Sequence, residues 1–149
     1  MTATDPLAAF EDRLNHRFLD PGLLRQALTH PSWAHEHPPA RHNESLAFLG
    51  DAVLGLVVAD LLRAAAPEEE VGSLTRRRAE VVSGRALAEW ARRLDLPAAI
   101  RLGRGEDQSG GRNRESVLAT ALEAVFGALY LDAGLDPVRA LVRGQAPLS

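Results

Sequence analysis

Apolar residues recur along this chain at the spacing of helix faces, and two segments are apolar on every face. These segments are 46–58 and 117–131. A helix that is apolar all round belongs in a protein core or at a subunit interface. The alternation of apolar and polar positions that is typical of strands does not extend over any segment. The pattern therefore predicts an all-α fold built around two buried helices.

Capping residues and prolines predict where the helices begin and end. Asp-Pro pairs at 5–6 and 20–21 each combine an N-cap residue with proline at the first helical position. A third Asp-Pro pair at 136–137 predicts a last short helix. With Asn43, Ser73 and Ser83 as further caps and Gly134 as a C-terminal stop, we predict helices over 5–14, 20–28, 43–65, 73–82, 84–94 and 113–133. Segments 35–41 and 103–111 are rich in Pro, His and Gly, and we predict loops there.

Length and composition favour one globular domain. The 149 residues suit a single domain over 1–149 with a short tail at 144–149, and 46% of them are apolar. The absence of Cys excludes a disulfide framework, a thiolate metal site and a Cys nucleophile. No unbroken apolar run reaches the roughly 18–20 residues of a membrane span, and the N-terminus lacks the pattern of a secretory signal. We therefore expect a cytoplasmic protein without a membrane partner.

Charge is unevenly distributed along the chain. All 17 basic residues are Arg, and the formal net charge is −3. Segment 1–71 has a net charge of −6, segment 72–114 of +5 and segment 115–149 of −2. Arg binds phosphate groups through two parallel hydrogen bonds, so the basic middle segment is one candidate for a phosphate-binding surface. The alternative is a set of solvated helix faces.

Each of the two apolar helices carries one carboxylate near its middle, Asp51 and Glu123. An ionised carboxylate in such a helix is costly unless it is paired, hydrogen-bonded or bound to a metal. A structural pair with Arg is one alternative, and metal binding or acid–base chemistry in a shared cleft is the other. Helical spacing places Glu44, Ala47 and Asp51 on one face, and Thr120 with Glu123 on a face of the second helix.

Two further candidate sites do not have the residues that their chemistry requires. His30, His35, His37 and His42 lie close together in sequence, but no structural zinc site has their spacing, and a solvated loop is the simpler interpretation. The glycine-rich segment 103–111 lacks the Gly-Lys-Ser/Thr end of a phosphate-binding loop, so we expect no nucleotide cofactor.

Four motifs in this order are similar to those of one protein family. Segment 42–54, with the sequence HNESLAFLGDAVL, resembles the signature helix of the ribonuclease III family. Segment 28–32 is similar to an upstream element of that family, segment 103–116 to a glycine- and arginine-containing loop, and segment 123–132 to its second acidic helix. The resemblance extends over about residues 10–143 and fits the catalytic domain of the bacterial type, without its C-terminal RNA-binding domain.

The resemblance implies a specific function. Members of this family have an all-helical nuclease domain that forms a homodimer and cleaves double-stranded RNA with Mg²⁺. Structured RNA such as ribosomal RNA is then the expected partner. Mg²⁺ prefers several oxygen ligands in octahedral geometry, so the family needs a cluster of carboxylates at each site.

The chain departs from the family at two of four metal-site positions. By the resemblance these positions are Ala47 and Asp51 on the signature helix and Thr120 and Glu123 on the second acidic helix. Asp51 and Glu123 are retained, whereas Ala47 and Thr120 stand where the family has Glu and Asp. Glu44 lies one helical turn before Ala47 and is a candidate substitute ligand. We therefore expect weak Mg²⁺ binding or none.

The remaining family positions predict contacts with partners. The resemblance places Phe48 where the family inserts an aromatic ring into a pocket of the partner subunit, the alternative being an ordinary core aromatic. Four arginines flank the loop that resembles a family element near RNA, and we expect them to contact the RNA backbone: Arg101, Arg104, Arg112 and Arg114. Recognition of duplex RNA by shape and backbone suits this segment, because no aromatic residues are interleaved for base stacking.

Three hypotheses about function follow. The first is a degenerate family member that keeps the dimer and duplex RNA binding but has lost most or all cleavage. The second is an active endoribonuclease with a rewired site, in which Glu44 or water held by Thr120 assists Asp51 and Glu123. The third is an inactive subunit that pairs with an intact paralogue.

Overall fold

A computed structural model describes residues 5–148 of the chain, and most of these residues lie in α-helices. Their bounds are α1 Pro6–Leu14, α2 Pro21–Ala27, α3 Pro31–Glu36, α4 Glu44–Ala65, α5 Val71–Val81, α6 Gly84–Arg93, α7 Leu96–Ala99, α8 Arg104–Gln108, α9 Glu115–Ala133 and α10 Leu135–Gln145. Over the described range the backbone pairing between extended segments is limited to one bridge, between Thr29 and Arg101. The all-α prediction is confirmed.

Local sequence signals determine several helix starts. The side chains of Asp5 and Asp20 accept hydrogen bonds from the backbone N–H groups of Leu7 and Gly22, both at 3.0 Å. Ser83 caps α6 in the same way by accepting from Ala86 N at 3.1 Å. These three helices therefore start where the capping residues and prolines predict.

Other predicted capping residues bind elsewhere, although α4 does begin directly after Asn43, as predicted. Asn43 is buried and donates its side-chain N–H to the carbonyl of Ala27 at 3.1 Å, so it ties α4 to α2 rather than capping α4. Ser73 lies inside α5 and donates to Glu69 Oε2 at 2.5 Å. The last helix begins at Leu135, directly after Gly134. It runs through Gln145, into the segment predicted as a tail.

The segment 35–41 is a loop after its first two residues, as predicted, whereas a short helix occupies part of the segment 103–111 that we predicted as a loop. α3 ends at Glu36 inside the first segment, and α8 lies inside the second. α8 is anchored by α3, because Ser32 Oγ accepts from Gly103 N at 2.8 Å and Glu36 Oε2 accepts from Arg104 N at 2.7 Å. These bonds join residues about 70 positions apart in the chain. Composition alone therefore does not predict α8.

Helices α4 and α9 cross in the centre of the domain at two glycines. A Cβ atom on Gly50 would lie 1.6 Å from the carbonyl oxygen of Glu123, and one on Gly127 would lie 2.3 Å from the carbonyl oxygen of Leu46. Any side chain at either position would force the helices apart. The two glycines therefore allow direct backbone contact, which places the start of α4 beside the middle of α9.

By length and average hydropathy, α4 and α9 are each long enough and apolar enough to cross a membrane. No membrane span was expected from the sequence, because Asp51 and Glu123 interrupt the apolar runs of these two helices. In the structure the two helices pack against each other, and α9 contributes eleven buried residues to the core. Their apolar character is therefore explained by their place in the core of a folded domain.

Candidate active site

The crossing of α4 and α9 brings the carboxyl groups of Asp51 and Glu123 close together. Asp51 follows Gly50 directly, and the carbonyl of Glu123 is the group that packs against Gly50. The close helix contact thus fixes both backbones. Asp51 is exposed, whereas Glu123 is half-buried. Of the two alternatives left open by the sequence, the structure places the two carboxylates beside each other, and within residues 5–148 neither forms an ion pair with Arg.

Burial raises the pKa of Glu123 to about 7, and the hydrogen bond with Asp51 and the negative charge of Asp51 add to this effect. Two carboxyl groups can hydrogen-bond to each other only if one of them carries a proton. Near neutral pH the pair therefore exchanges between a singly and a doubly charged form.

The other two family positions contribute no carboxylate. Ala47 lies one turn before Asp51 on α4 and is buried, with 8% of its surface exposed. Thr120 lies one turn before Glu123 on α9 and is half-buried, with a neutral hydroxyl group. The site consequently has two acidic side chains next to two positions that lack them.

Glu44 is exposed in the first turn of α4, and the structure places it near His42 and His30. Its backbone N–H donates to His42 Nδ1 at 3.3 Å, and its charge acts to raise the pKa of His30, against the larger lowering effect of burial. Within residues 5–148, no three His, Asp or Glu side chains come close enough together to hold a metal ion. The structure does not bring Glu44 into one ligand set with Asp51 and Glu123.

The residues at this site offer a Mg²⁺ ion two carboxylates rather than a full acidic cluster. Mg²⁺ demands near-ideal octahedral oxygen coordination and is held through carboxylates. Asp51 and Glu123 are the two carboxylates at the site, and a proton competes for Glu123 near neutral pH. Thr120 adds at most a neutral hydroxyl oxygen.

Two of the four arginines predicted to contact RNA are used within the protein. Arg112 donates to both carboxylate oxygens of Asp107 at 3.1 Å and to the carbonyls of Pro97 and Ile100 at 2.7 and 2.8 Å. Arg114 pairs with Glu106 and donates to the carbonyl of Ser109 at 3.1 Å. Both guanidinium groups therefore stabilise the loop around α8.

The other two arginines differ in exposure. Arg101 is half-buried and donates to Thr29 Oγ1 at 2.6 and 3.1 Å. Arg104 is exposed, and its guanidinium group has no hydrogen-bond or ion-pair partner within the described part of the chain. Of the four arginines predicted to contact RNA, Arg104 is thus the one whose exposed guanidinium group is engaged in no hydrogen bond or ion pair within the described residues.

Phe48 is 83% exposed on α4, so it is not a core aromatic. Ala52 and Leu56 are exposed on the same side of the helix, at four-residue spacing. Together these three residues form an apolar face that α4 leaves uncovered, which we call the α4 face. Single exposed apolar residues are ordinary, whereas a contiguous row of them on one helix indicates an interface.

Sequence reasoning missed the positioning role of Gly127. This glycine is in the middle of α9, and it packs against the backbone of Leu46. Glycine inside a helix lowers its stability, so a glycine in a long apolar helix often marks a place where another backbone packs closely. The sequence alone could have indicated this role.

Comparisons with known proteins agree on one family. The sequence model of a family described as "Ribonuclease-III-like" matches residues 20–146. The chain is 53% identical to Ribonuclease 3 of Streptomyces coelicolor over 132 residues, which are 89% of this chain and 48% of the relative. It is 47% identical to Ribonuclease 3 of Caldanaerobacter subterraneus subsp. tengcongensis over 91% of this chain and 60% of the relative. The chain thus spans about half of the length of these relatives.

Solved structures have the same fold. The nuclease domain of ribonuclease III from Campylobacter jejuni is 35% identical, with a TM-score of 0.87 over 93% of this chain and 94% of that chain. That structure is described as showing flexibility in a region involved in dimer formation. Dicer from Pichia stipitis is 22% identical, with a TM-score of 0.62 over 87% of this chain and 55% of that chain, which shows a shared fold alone.

Proposed function

Because this chain belongs to the ribonuclease-III-like family, we propose that it forms a dimer that binds double-stranded RNA and cleaves it very slowly or not at all. The fold and the dimer-forming relatives support the dimer. The altered set of acidic residues supports the loss of cleavage.

One observation carries this proposal. At the crossing of α4 and α9 two carboxylates meet, and the neighbouring family positions are Ala47 and Thr120. Hydrolysis of a phosphodiester in this family relies on metal-bound water and on metal charge that offsets charge growing on the phosphate. Losing two anionic ligands lowers the affinity for Mg²⁺ steeply. The protein's own residues then bind and orient RNA without supplying an efficient cleavage site.

RNA binding is supported by the basic segment 72–114. Its net charge of +5 contrasts with the acidic remainder of the chain. Arg104 has a guanidinium group that is free to contact a phosphate, whereas Arg112 and Arg114 hold the loop that presents it. Contacts of this kind depend on phosphate charge, so we expect weak binding that falls as salt rises.

A second candidate function is an active endoribonuclease with a rewired site. The observation in its favour is that Asp51 and Glu123 still meet, and that the pKa of Glu123 is about 7. A carboxyl group with such a pKa is suited to acid–base work at neutral pH. In this alternative Asp51 and Glu123 support cleavage with the help of Glu44 or of water held by Thr120, and mutating either Asp51 or Glu123 abolishes it.

The test is cleavage of an end-labelled RNA duplex of about two to three helical turns in Mg²⁺ and in Mn²⁺. We compare the wild-type chain with the double variant Ala47→Glu/Thr120→Asp. The expected result is an inactive wild type and an increase of about a hundredfold or more in the variant, because restored metal ligands stabilise the transition state by several kcal/mol. Duplex binding, measured by gel shift, stays unchanged within about threefold.

The matched control is Ala47→Gln/Thr120→Asn, which adds side chains of the same size without charge. It is expected to stay inactive, so that recovery depends on the carboxylates and not on packing. Cleavage by the wild type that Asp51→Ala abolishes would contradict the proposal and favour the rewired site. Failure of the wild type to bind duplex RNA would contradict the other half of the proposal.

A further inference from the structure

A small basic cavity lies away from the carboxylate pair, between α2, α3 and the segment before α4. It has a volume of about 320 Å³, which is at the lower end of the range for small-molecule sites. Its lining includes Arg25 from α2, Trp33 from α3, Arg41, and Arg101 from the segment before α8. No acidic side chain lines it in the described part of the chain. We call it the arginine cavity.

Arg101 is held rigidly at the wall of this cavity. Its Nε and Nη2 atoms donate to Oγ1 of the fully buried Thr29 at 3.1 and 2.6 Å. Its guanidinium carbon lies 3.8 Å from the centroid of the Trp33 ring, and that ring stacks on His37 with centroids 4.0 Å apart. A guanidinium group fixed in this way loses little conformational entropy when it binds an anion, and its Nη1 atom has no bonded partner within residues 5–148.

Within residues 5–148, the arginines of the cavity lack direct ion pairs. Arg25, Arg41 and Arg101 have no carboxylate within ion-pair distance in the described range, whereas Arg112 and Arg114 on the nearby loop each pair with one. Arg25 is close enough to Arg101 that its charge, after burial, lowers the pKa of Arg101. Like charges held this close together favour a bound anion that offsets their repulsion.

Two acidic side chains beside the cavity act as helix caps. Asp20 Oδ1 accepts the backbone N–H of the lining residue Gly22 at 3.0 Å as the cap of α2. Asp5 lines an adjacent cavity together with Arg25 and Arg101, but its Oδ1 accepts the backbone N–H of Leu7 at 3.0 Å as the cap of α1. On the other side, Gln26 donates to the carbonyl of His42 at 3.2 Å, and this bond ties the segment that contains Arg41 to α2. The cavity is thus formed by residues that other contacts hold in place.

We propose that the arginine cavity binds a terminal phosphate group, the dianion carried by a nucleoside 5′-monophosphate or by the 5′ end of an RNA strand. Three guanidinium groups suit a dianion better than the single charge of an internal phosphodiester. The Trp33 ring is engaged by His37 and Arg101, so the phosphate rather than the base is the group that this site recognises. The proposal is independent of duplex binding and of cleavage.

Isothermal titration calorimetry at pH 7.5, where such a phosphate is mainly doubly charged, tests the proposal. The ligands are AMP, adenosine, and one tetranucleotide RNA with either a 5′-phosphate or a 5′-hydroxyl group. We expect AMP to bind at least tenfold more tightly than adenosine, and the 5′-phosphorylated RNA at least tenfold more tightly than its 5′-hydroxyl form. If the phosphorylated RNA binds more tightly than AMP, the RNA end is the ligand; the opposite order identifies the free nucleotide.

Matched variants assign binding to the cavity. Arg25→Gln/Arg41→Gln removes two of its charges and is expected to weaken AMP binding by about a hundredfold. Arg85→Gln/Arg143→Gln removes the same charge from exposed positions on α6 and α10 and is expected to change it by less than threefold. Equal affinity for AMP and adenosine, or equal loss in both variants, would overturn the proposal. A far-ultraviolet circular dichroism spectrum that matches the wild type shows that the fold of the Arg25→Gln/Arg41→Gln variant is intact.

Discussion

At the scale of single residues, the protonation of Glu123 is the property that sets this site apart. The carboxyl group is half-buried and meets a second carboxyl group, and its pKa rises to about 7. Each is the one acid inside an apolar helix, and this pattern left a pair with Arg and a shared cleft open; the family resemblance was what put Asp51 and Glu123 in one site. The sequence did not predict the raised pKa of Glu123, since the burial of Glu123 depends on how closely α4 approaches α9.

Ionisation of Glu123 is expected to destabilise the fold. The group has a higher pKa in the folded chain than when unfolded, so the folded state binds the extra proton, and stability falls as pH rises from about 4.5 to about 7. We expect the free energy of unfolding to drop by about 1–2 kcal/mol over this window, after allowance for solvent screening. Urea unfolding at pH 5, 6.5 and 8 measures the drop.

The variant Glu123→Gln removes this part of the pH dependence, and Glu89→Gln, on the exposed side of α6, is the matched control. The difference between the two variants isolates the contribution of Glu123 to the pH dependence. If the free energy of unfolding depends on pH in the same way for the wild type and for Glu123→Gln, then Glu123 ionises as freely in the folded chain as in the unfolded chain.

At the scale of elements, the predicted helices form where the signals are local. Asp5, Asp20 and Ser83 cap the helices that follow them, and these starts were predictable from adjacent residues. α8 was not predictable, because its first turn is held by Ser32 and Glu36 of α3. The internal bonds of Arg112 and Arg114 were not predictable for a related reason, since their partners were visible in the sequence but the geometry of the loop was not.

The close approach of α4 and α9 depends on the absence of a side chain at Gly50. We expect Gly50→Ala to lower the free energy of unfolding by about 3 kcal/mol or more, because its Cβ would lie 1.6 Å from the carbonyl oxygen of Glu123 and backbone cannot move aside cheaply. Chemical denaturation followed by circular dichroism measures the loss.

Gly144→Ala is the control, because a Cβ at that position in α10 meets no atom within 4 Å. Alanine is the better helix former, so this variant is expected to be unchanged or slightly more stable. If Gly50→Ala does not fold, Gly127→Ala tests the same contact from α9, where the Cβ would lie 2.3 Å from the carbonyl of Leu46. Stability equal to the control in both variants would show that the helices can separate without cost.

At the scale of the whole molecule, the α4 face is the surface through which we expect two copies to associate. Phe48 is 83% exposed there, and Leu56, on the same face, is 57% exposed. In a symmetric dimer each residue acts twice, so one substitution removes two contacts. Phe48→Ser is therefore expected to raise the dimer dissociation constant by a hundredfold or more, on the basis of about 2 kcal/mol for each buried aromatic anchor.

Sedimentation equilibrium over a range of concentrations measures this constant, and Leu19→Ser provides the control. Leu19 is 88% exposed in the segment between α1 and α2, so it is at least as accessible as Phe48 but lies outside the α4 face. We expect the dissociation constant of the Leu19→Ser variant to stay within about threefold of the wild-type value. If both variants stay dimeric, the association surface lies elsewhere; if both become monomeric, exposed apolar area matters more than the α4 face. Dissociation by Phe48→Ser alone places the two carboxylate pairs on the two sides of one α4–α4 interface, because Asp51 lies within one helical turn of Phe48.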